Sequence, residues 1–487
     1  MRYVTYEQFG AKADGVTDDM PAIAAAHAYA NEHNLPVRTV ADAHYYIGPS
    51  KCTAIIQTDT DWGTSRFTID DRKVENNKAA LFHVDSRHEP LELKIPSLKI
   101  GQKNAGVAPG IDCYVVIVEN DIRRFIRYGA NQNNGSLQTD NFELKADGTI
   151  AHELLWDFPR IDKVTALPID TETLHLRGGY FTTIANQDPS TYDYYARNIV
   201  VRRSNVEVMN IHHFVEGEGE TGAPYAGFLT ISGCARVTVR NCFFTPHKIY
   251  VTIGSAGVPV SMGTYDIGIG SATDVLFKDC TQPDILDRTK WGLVGSNFCK
   301  NITLDGCIFS RMDAHQGVHT YTIRNTTLGH QGLNAIGCGP LTVENCELYG
   351  NAIVSFRGDY GSTWDGDVTV KNVVWHPCQG RECIPALFQS YNNEQHDYGY
   401  ECTMPHTVTL ENVHVDDTHV PEGYEGMFLW NNYNGGVKPE TADTYEAKFP
   451  YKPCGRMIIK NLTCESGKPW KLCQNPLLTP AVEVVEE

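Results

Sequence analysis

One short phrase of apolar and polar positions recurs along this chain. An apolar residue is followed by Thr or Val, a second apolar residue, a polar residue, then Asn, Asp or Gly, and finally Cys or a small apolar residue. It reads Val237-Thr-Val-Arg-Asn-Cys242, Val275-Leu-Phe-Lys-Asp-Cys280, Ile302-Thr-Leu-Asp-Gly-Cys307, Tyr321-Thr-Ile-Arg-Asn-Thr326 and Leu341-Thr-Val-Glu-Asn-Cys346. It continues as Val368-Thr-Val-Lys-Asn-Val373, Val408-Thr-Leu-Glu-Asn-Val413 and Met457-Ile-Ile-Lys-Asn-Leu462, with Ile199-Val-Val-Arg-Arg-Ser204 as an earlier member. Alternation at period two makes each phrase a strand with one buried face, and the Asn, Asp or Gly after it makes a turn. The tightest recurrence, about 20 residues, is one turn of a solenoid; wider spacings mean two coils, or one coil with a long loop of the kind that forms binding faces. The pattern predicts an all-β chain wound as a parallel β-helix.

The ends and one internal stretch depart from the phrase. Pro21 through His33 is Ala-rich, follows Asp18 and Asp19, and carries Pro in its first turn, so it reads as a helix plugging the open end of the solenoid. Residues 1–48 form this cap and the first coil, 49–172 an accessory or inserted β-region packed on the first coils, with strand-like runs such as Tyr114-Val-Val-Ile-Val118. Residues 173–465 form the solenoid core and 466–487 a Pro-containing, acidic tail, read as a peripheral strap or a disordered end. Cys242, Cys280, Cys307 and Cys346 hold the same place in the phrase, which makes them a stack of small buried residues. A zinc site needs ligands that converge on a point, and these line up along an axis.

A formal charge of −18 in 487 residues, with no long Lys/Arg run, excludes a general nucleic-acid binder. An anionic glycan remains a fitting partner if cations gather in one groove, because screening over roughly 8–10 Å lets a local patch override net charge. No window approaches a membrane span and the start lacks an apolar leader, so a cytoplasmic location is the expectation, or secretion if a leader has been removed. The 15 cysteines, odd in number and dispersed, agree with that. Oligomeric state is not readable.

Reactive side chains concentrate in Ser310-Arg-Met-Asp-Ala-His-Gln-Gly-Val-His319. On a strand, residues two apart share a face, so Arg311, Asp313 and His315 project together about 6.5 Å apart. His315 and His319 are roughly 13 Å apart on a strand, too far to share one metal ion. The next coil brings His330 and the one after it Arg357, Asp359, Tyr360 and Trp364, in Ser355-Phe-Arg-Gly-Asp-Tyr-Gly-Ser-Thr-Trp-Asp-Gly-Asp367. Coils stack about 4.8 Å apart, so His315, His330 and Arg357 fall within one sugar-sized patch. Candidate catalytic residues are His315, Asp313, Arg357, Tyr360 and His330. Candidate substrate-binding residues are Arg311, Lys290, His319, Asp359, Trp364 and Trp291, the two tryptophans as sugar platforms or as plain packing residues. The plainer alternative is that the Asp and His side chains only cap turns.

Two resemblances sharpen this. Phe9-Gly-Ala-Lys-Ala-Asp-Gly-Val-Thr-Asp-Asp19 resembles the entry motif of the pectate-lyase-like superfamily, which implies a right-handed parallel β-helix and includes lyases, hydrolases, epimerases and tailspikes. Met312-Asp-Ala-His315, with Gly332-Leu-Asn334 on the next coil and Arg357 after it, is similar to the Asp-Pro-His region of mannuronan C5-epimerases and related uronate-active enzymes. Ala314 stands where that motif has Pro, Ser310 where it has Tyr, and Gly329 near an expected acidic residue. A tyrosine acid or base must then come from Tyr360 or Tyr321.

The residues and the resemblance both suit an enzyme that removes the C5 proton of a uronate. Guanidiniums of Arg357 and Arg311, or Lys290, neutralise the carboxylate, and a neutral His315 takes the proton. Asp313 orients the imidazole, or holds substrate or calcium; no cofactor is required. Elimination gives a lyase and reprotonation an epimerase, with elimination favoured because the epimerase motif is incomplete. The alternatives are a glycoside hydrolase using two of Asp313, Asp359, Asp365 and Asp367, and a non-catalytic, tailspike-like glycan binder.

Overall fold

A computed structural model of the chain describes residues 2–127, 132–377, 381–391, 397–440 and 452–487. The repeated phrase is the column of a right-handed parallel β-helix. The first residue of one phrase pairs with the first of the next: Val206 with Val237, then Val275, Ile302, Tyr321, Leu341, Val368, Val408 and Met457. All are buried in one continuous core that runs from Val4 to Cys473. Each strand rises alone from an apolar alternation, and stacking buries what no single coil can.

Asn241, Asp279, Asn325, Asn345, Asn372, Asn412 and Asn461 close these strands with positive φ between 52° and 64°. Asn tolerates this left-handed conformation better than most side chains. Stacking then adds a ladder, in which the amide of Asn345 donates to Asn325, Asn372 to Asn345, Asn412 to Asn372 and Asn461 to Asn412, at 2.9–3.2 Å. Cys242, Cys280, Cys307 and Cys346 sit buried just inside this turn, as free thiols.

Three sequence expectations are corrected in detail. Ile199–Val201 pairs with Phe82–Val84 and Leu229–Ile231, on another face of the coil, and the column is continued instead by Val206-Glu-Val-Met-Asn210. Strands Thr60–Asp70 and Phe82–Val84 belong to the solenoid: Phe67 pairs with Phe181 and their rings stack 4.5 Å apart. The tail is built in, with Trp470–Cys473 and Glu483–Glu486 adding parallel strands to the last coils.

The helix Met20–His33 caps the open end, laying Ile23, Ala26 and Ala30 on the core. Asp18 receives the Met20 amide at 3.1 Å, while Asp19 turns back to take the amides of Lys12 and Ala13.

The inserted region leaves the solenoid after Phe82–Val84 and folds as an antiparallel sheet of Cys113–Arg124, Ser136–Leu144 and Lys163–Pro168. Val115 and Ile117 face its own small core, while Tyr114 faces Ala235 of the solenoid. It docks on middle coils rather than the first ones. The Lys300 ammonium meets Asp140 at 2.8 Å, both fully buried, and Asn141 donates to the Phe298 carbonyl at 2.6 Å. That placement brings the connection after Arg124 over the coils that carry Asp313 and His315.

Candidate active site

The strand Ile308–Arg324 alternates as its sequence predicts: Met312 and Ala314 point into the tube, and Arg311, Asp313 and His315 into an outward cavity of about 490 Å³. The alternation is adjusted at one point. Ala314 pairs with Ser296 and Gln316 with Asn297, which leaves His315 as the extra residue of a bulge. A bulge re-aims its side chain, and here the His315 ring stands edge-on to Tyr360, centroids 5.3 Å apart. Asn297 accepts from His315 Nδ1 at 3.3 Å, leaving Nε2 as the acceptor for the Tyr360 hydroxyl, also at 3.3 Å.

Alternating charges line the floor. Arg311 donates to Asp313 Oδ2 at 3.0 Å, and Arg357 donates to the same oxygen. Arg357 also grips Asp359 through two bonds of 3.0 and 2.8 Å, and Arg127, from the connection that follows Arg124 in the inserted sheet, pairs with Asp359 Oδ2 as well. Burial pushes the Asp313 carboxyl up, but the guanidiniums of Arg311 and Arg357 outweigh it and hold it below the usual range. Asp359 is likewise held low, its burial offset by Arg357 and Arg127. His315 moves the other way: burial, with Arg357 beside it, lowers its pKa from 6.5 to about 4, so the ring is neutral at physiological pH.

Three buried polar atoms of cavity residues lack a partner among the described residues: Asp313 Oδ1, Arg311 Nε and Trp291 Nε1. Buried polar groups are ordinarily satisfied, and these are one acceptor and two donors at the cavity lining. The Arg311 guanidinium lies over the Trp291 ring, 5.3 Å from its centroid.

Of the residues singled out in the sequence, Asp313, His315, Arg357, Arg311 and Trp291 line this cavity, and Tyr360 and Asp359 stand directly behind it. Seven others lie elsewhere. Trp364 is fully buried in the solenoid core, its Nε1 donating to the Gly339 carbonyl, because the alternation of its short strand turns it inward. His330 faces the segment 285–290, donating through Nε2 to the Lys290 carbonyl at 3.2 Å. The Lys290 ammonium pairs with Glu218 at 3.8 Å. His319 lies beyond the bulge, on Thr320 and Glu153. Tyr321 is inside the tube, bonded to Ser296. Asp365 pairs with His406, and Asp367 takes the Thr407 amide.

Sequence reasoning missed Arg127, Tyr194 and Tyr265. Tyr265 reaches the cavity because its strand pairs with Leu293, which in turn pairs with Arg311. Its ring lies across Gly295, where a Cβ would come within 2.3 Å of it. Burial, then Tyr194 and Asp313, raise the Tyr265 phenol, so it keeps its proton. Nothing local marks these residues; their place depends on register and on docking of the inserted sheet.

No family model matches the chain. A curated relative, the KL64-specific capsule depolymerase of Klebsiella phage P510, is 24% identical over 252 residues, covering 48% of this chain and 23% of the depolymerase. The chain thus spans about a quarter of that relative's length. Among solved structures, the tailspike gp61 of Pseudomonas phage phi297 matches with a TM-score of 0.58 at 13% identity, over 99% of this chain and 83% of the tailspike. The tailspike gp49 of Pseudomonas phage LKA1 matches with a TM-score of 0.50 at 10% identity, over 99% of this chain and 78% of its own. At such identities the likeness is one of fold.

Proposed function

We propose that this chain acts on a uronate-containing glycan by abstracting the C5 proton, with His315 as the base and β-elimination as the outcome. The observation that carries this reading is a neutral imidazole in the same cavity as a guanidinium cluster. A C5 proton next to a carboxylate is removable only if that carboxylate is neutralised, because the transition state builds enolate charge on it. Arg311 and Arg357 are fixed for this by Asp313 before substrate arrives.

In the proposed step, His315 Nε2 takes the C5 proton, its bond to Tyr360 giving way. The C5–H electrons form the C4=C5 bond, and the C4–O bond breaks. The departing oxygen takes a proton from the Tyr265 phenol, and the product is a 4,5-unsaturated uronate. Reprotonation of C5 by Tyr265 on the opposite face, without C4–O cleavage, gives the epimer instead. A glycan substrate also accords with the capsule depolymerase relative.

A hydrolase needs one carboxyl that is protonated near its working pH. Asp313 and Asp359 are both held ionised by guanidiniums, and Asp365 and Asp367 lie outside the cavity. The Asp313 carboxylate, already met by two guanidiniums, is also ill-fitted to hold calcium.

The test is incubation with a panel of uronate oligosaccharides, reading ultraviolet absorbance of the C4=C5 bond. Absorbance rising with cleavage is the expected result. New reducing ends without absorbance would sink proton abstraction in favour of hydrolysis, and deuterium entering C5 from heavy water without cleavage would assign epimerisation.

A further inference from the structure

The ionic chain at the site has five members: Arg311, Asp313, Arg357, Asp359 and Arg127. Four come from two coils of the solenoid, on either side of the coil that carries Thr327–Ala335, and balance one another. The fifth, Arg127, comes from the connection between the first two strands of the inserted sheet and leaves the set with one uncompensated positive charge. The tyrosines of the wall do not offset it: burial raises the phenols of Tyr194, to about 12, and Tyr265. Glu218 and Lys290 pair with each other outside the cavity.

Arg127 is held there by structure built for it. The segment before it is clamped to the loop at 398–399: Arg124 donates to the Gly399 carbonyl and the Ile126 amide to the Tyr398 carbonyl at 3.2 Å. Gly399 has φ +87°, and a Cβ there would come within 2.2 Å of the Arg123 carbonyl, so the clamp depends on a glycine. Phe125 packs between Tyr360, Trp156 and Tyr400. The Arg127 guanidinium then lies over the Tyr360 ring, 5.4 Å from its centroid, while lining the cavity.

We propose that Arg127 is the specificity determinant of the site: it supplies the single net positive charge that selects a sugar carrying one negative charge over its neutral counterpart. The coils alone form a charge-neutral site, and the inserted sheet makes it an anion-selective one. This rests on the uronate reading above.

The experiment measures binding of oligogalacturonate, oligomannuronate, oligoguluronate and hyaluronan oligosaccharides, each beside its carboxyl-reduced counterpart, to the whole chain and to its Arg127→Gln and Arg127→Lys variants. Wild type is expected to prefer a charged member. Arg127→Gln should lose about 10-fold affinity for it, the scale of one desolvated charge contact, with little change for the reduced sugar. Arg127→Lys should keep the preference. With that substrate, Arg127→Gln should also move the acid limb of kcat/KM to higher pH, because one of the positive charges acting on His315 is gone. Equal losses on charged and reduced sugars would mean a merely structural role and overturn the inference, as would a preference that survives Arg127→Gln. Those results leave the uronate reading standing, whereas a wild type that binds no charged member more tightly than its reduced form overturns both.

Discussion

At the scale of single residues, His315 can serve as a base because two opposing influences on it are unequal. Burial and the Arg357 guanidinium disfavour imidazolium more than Asp313 favours it, and the pKa falls to about 4. The acid limb of kcat/KM is therefore expected near pH 4 rather than 6.5, since kcat/KM reports the free enzyme. His315→Ala should lower kcat at least about 100-fold, the low end for losing a general base. An acid limb left near 6.5, or near-full activity in the variant, would remove His315 from the chemistry. The same shift has a stability consequence of definite sign. The unfolded chain binds the proton first, so what His315 contributes is complete above about pH 6.5 and is lost as pH falls through about 4.

At the scale of the element, the strand-ending asparagines do two jobs that can be separated. Asn372 adopts φ +52°, and its side chain both donates to Asn345 and accepts from Asn412. Asn372→Gly keeps the backbone conformation and removes both bonds, for a cost of about 1–2 kcal/mol. Asn372→Ala also forces a Cβ into the left-handed region and should cost about 1 kcal/mol more. Denaturant midpoints of the two variants measure the difference, and equal midpoints would show that φ contributes nothing. The His315 bulge is the other element-scale device. A regular strand would have put His315 two residues along from Asp313 in simple register; the extra residue turns it to Tyr360 and Asn297 instead.

At the scale of the molecule, the solenoid supplies a rigid column and the inserted sheet supplies a wall. Trp364 illustrates how the column decides roles. It follows the site segment closely in sequence, yet it lies in the core near Tyr321, its indole donating to the Gly339 carbonyl at 2.9 Å. Trp364→Ala should destabilise the fold by about 3–5 kcal/mol through the cavity it leaves, with KM of the folded protein unchanged. Weakened glycan binding at unchanged thermal stability would return Trp364 to the binding surface. Coils contact only their neighbours, so such damage should be felt most in the core between Tyr321 and Val408.

The period-two phrase and its Asn turns were enough to establish the β-helix, because strand alternation and left-handed turn residues are local properties that act the same way in every coil. The Arg311, Asp313 and His315 face was legible for the same reason, and Arg357 followed from stacking. Tertiary structure decided the rest. Whether Trp364 and Tyr321 face in or out turned on one step of register. Tyr265 entered the site through pairing two coils away, and Arg127 through the docking of a sheet whose own sequence shows no sign of where it will land. Register and docking are fixed by contacts between segments far apart in the chain, and no local pattern encodes those.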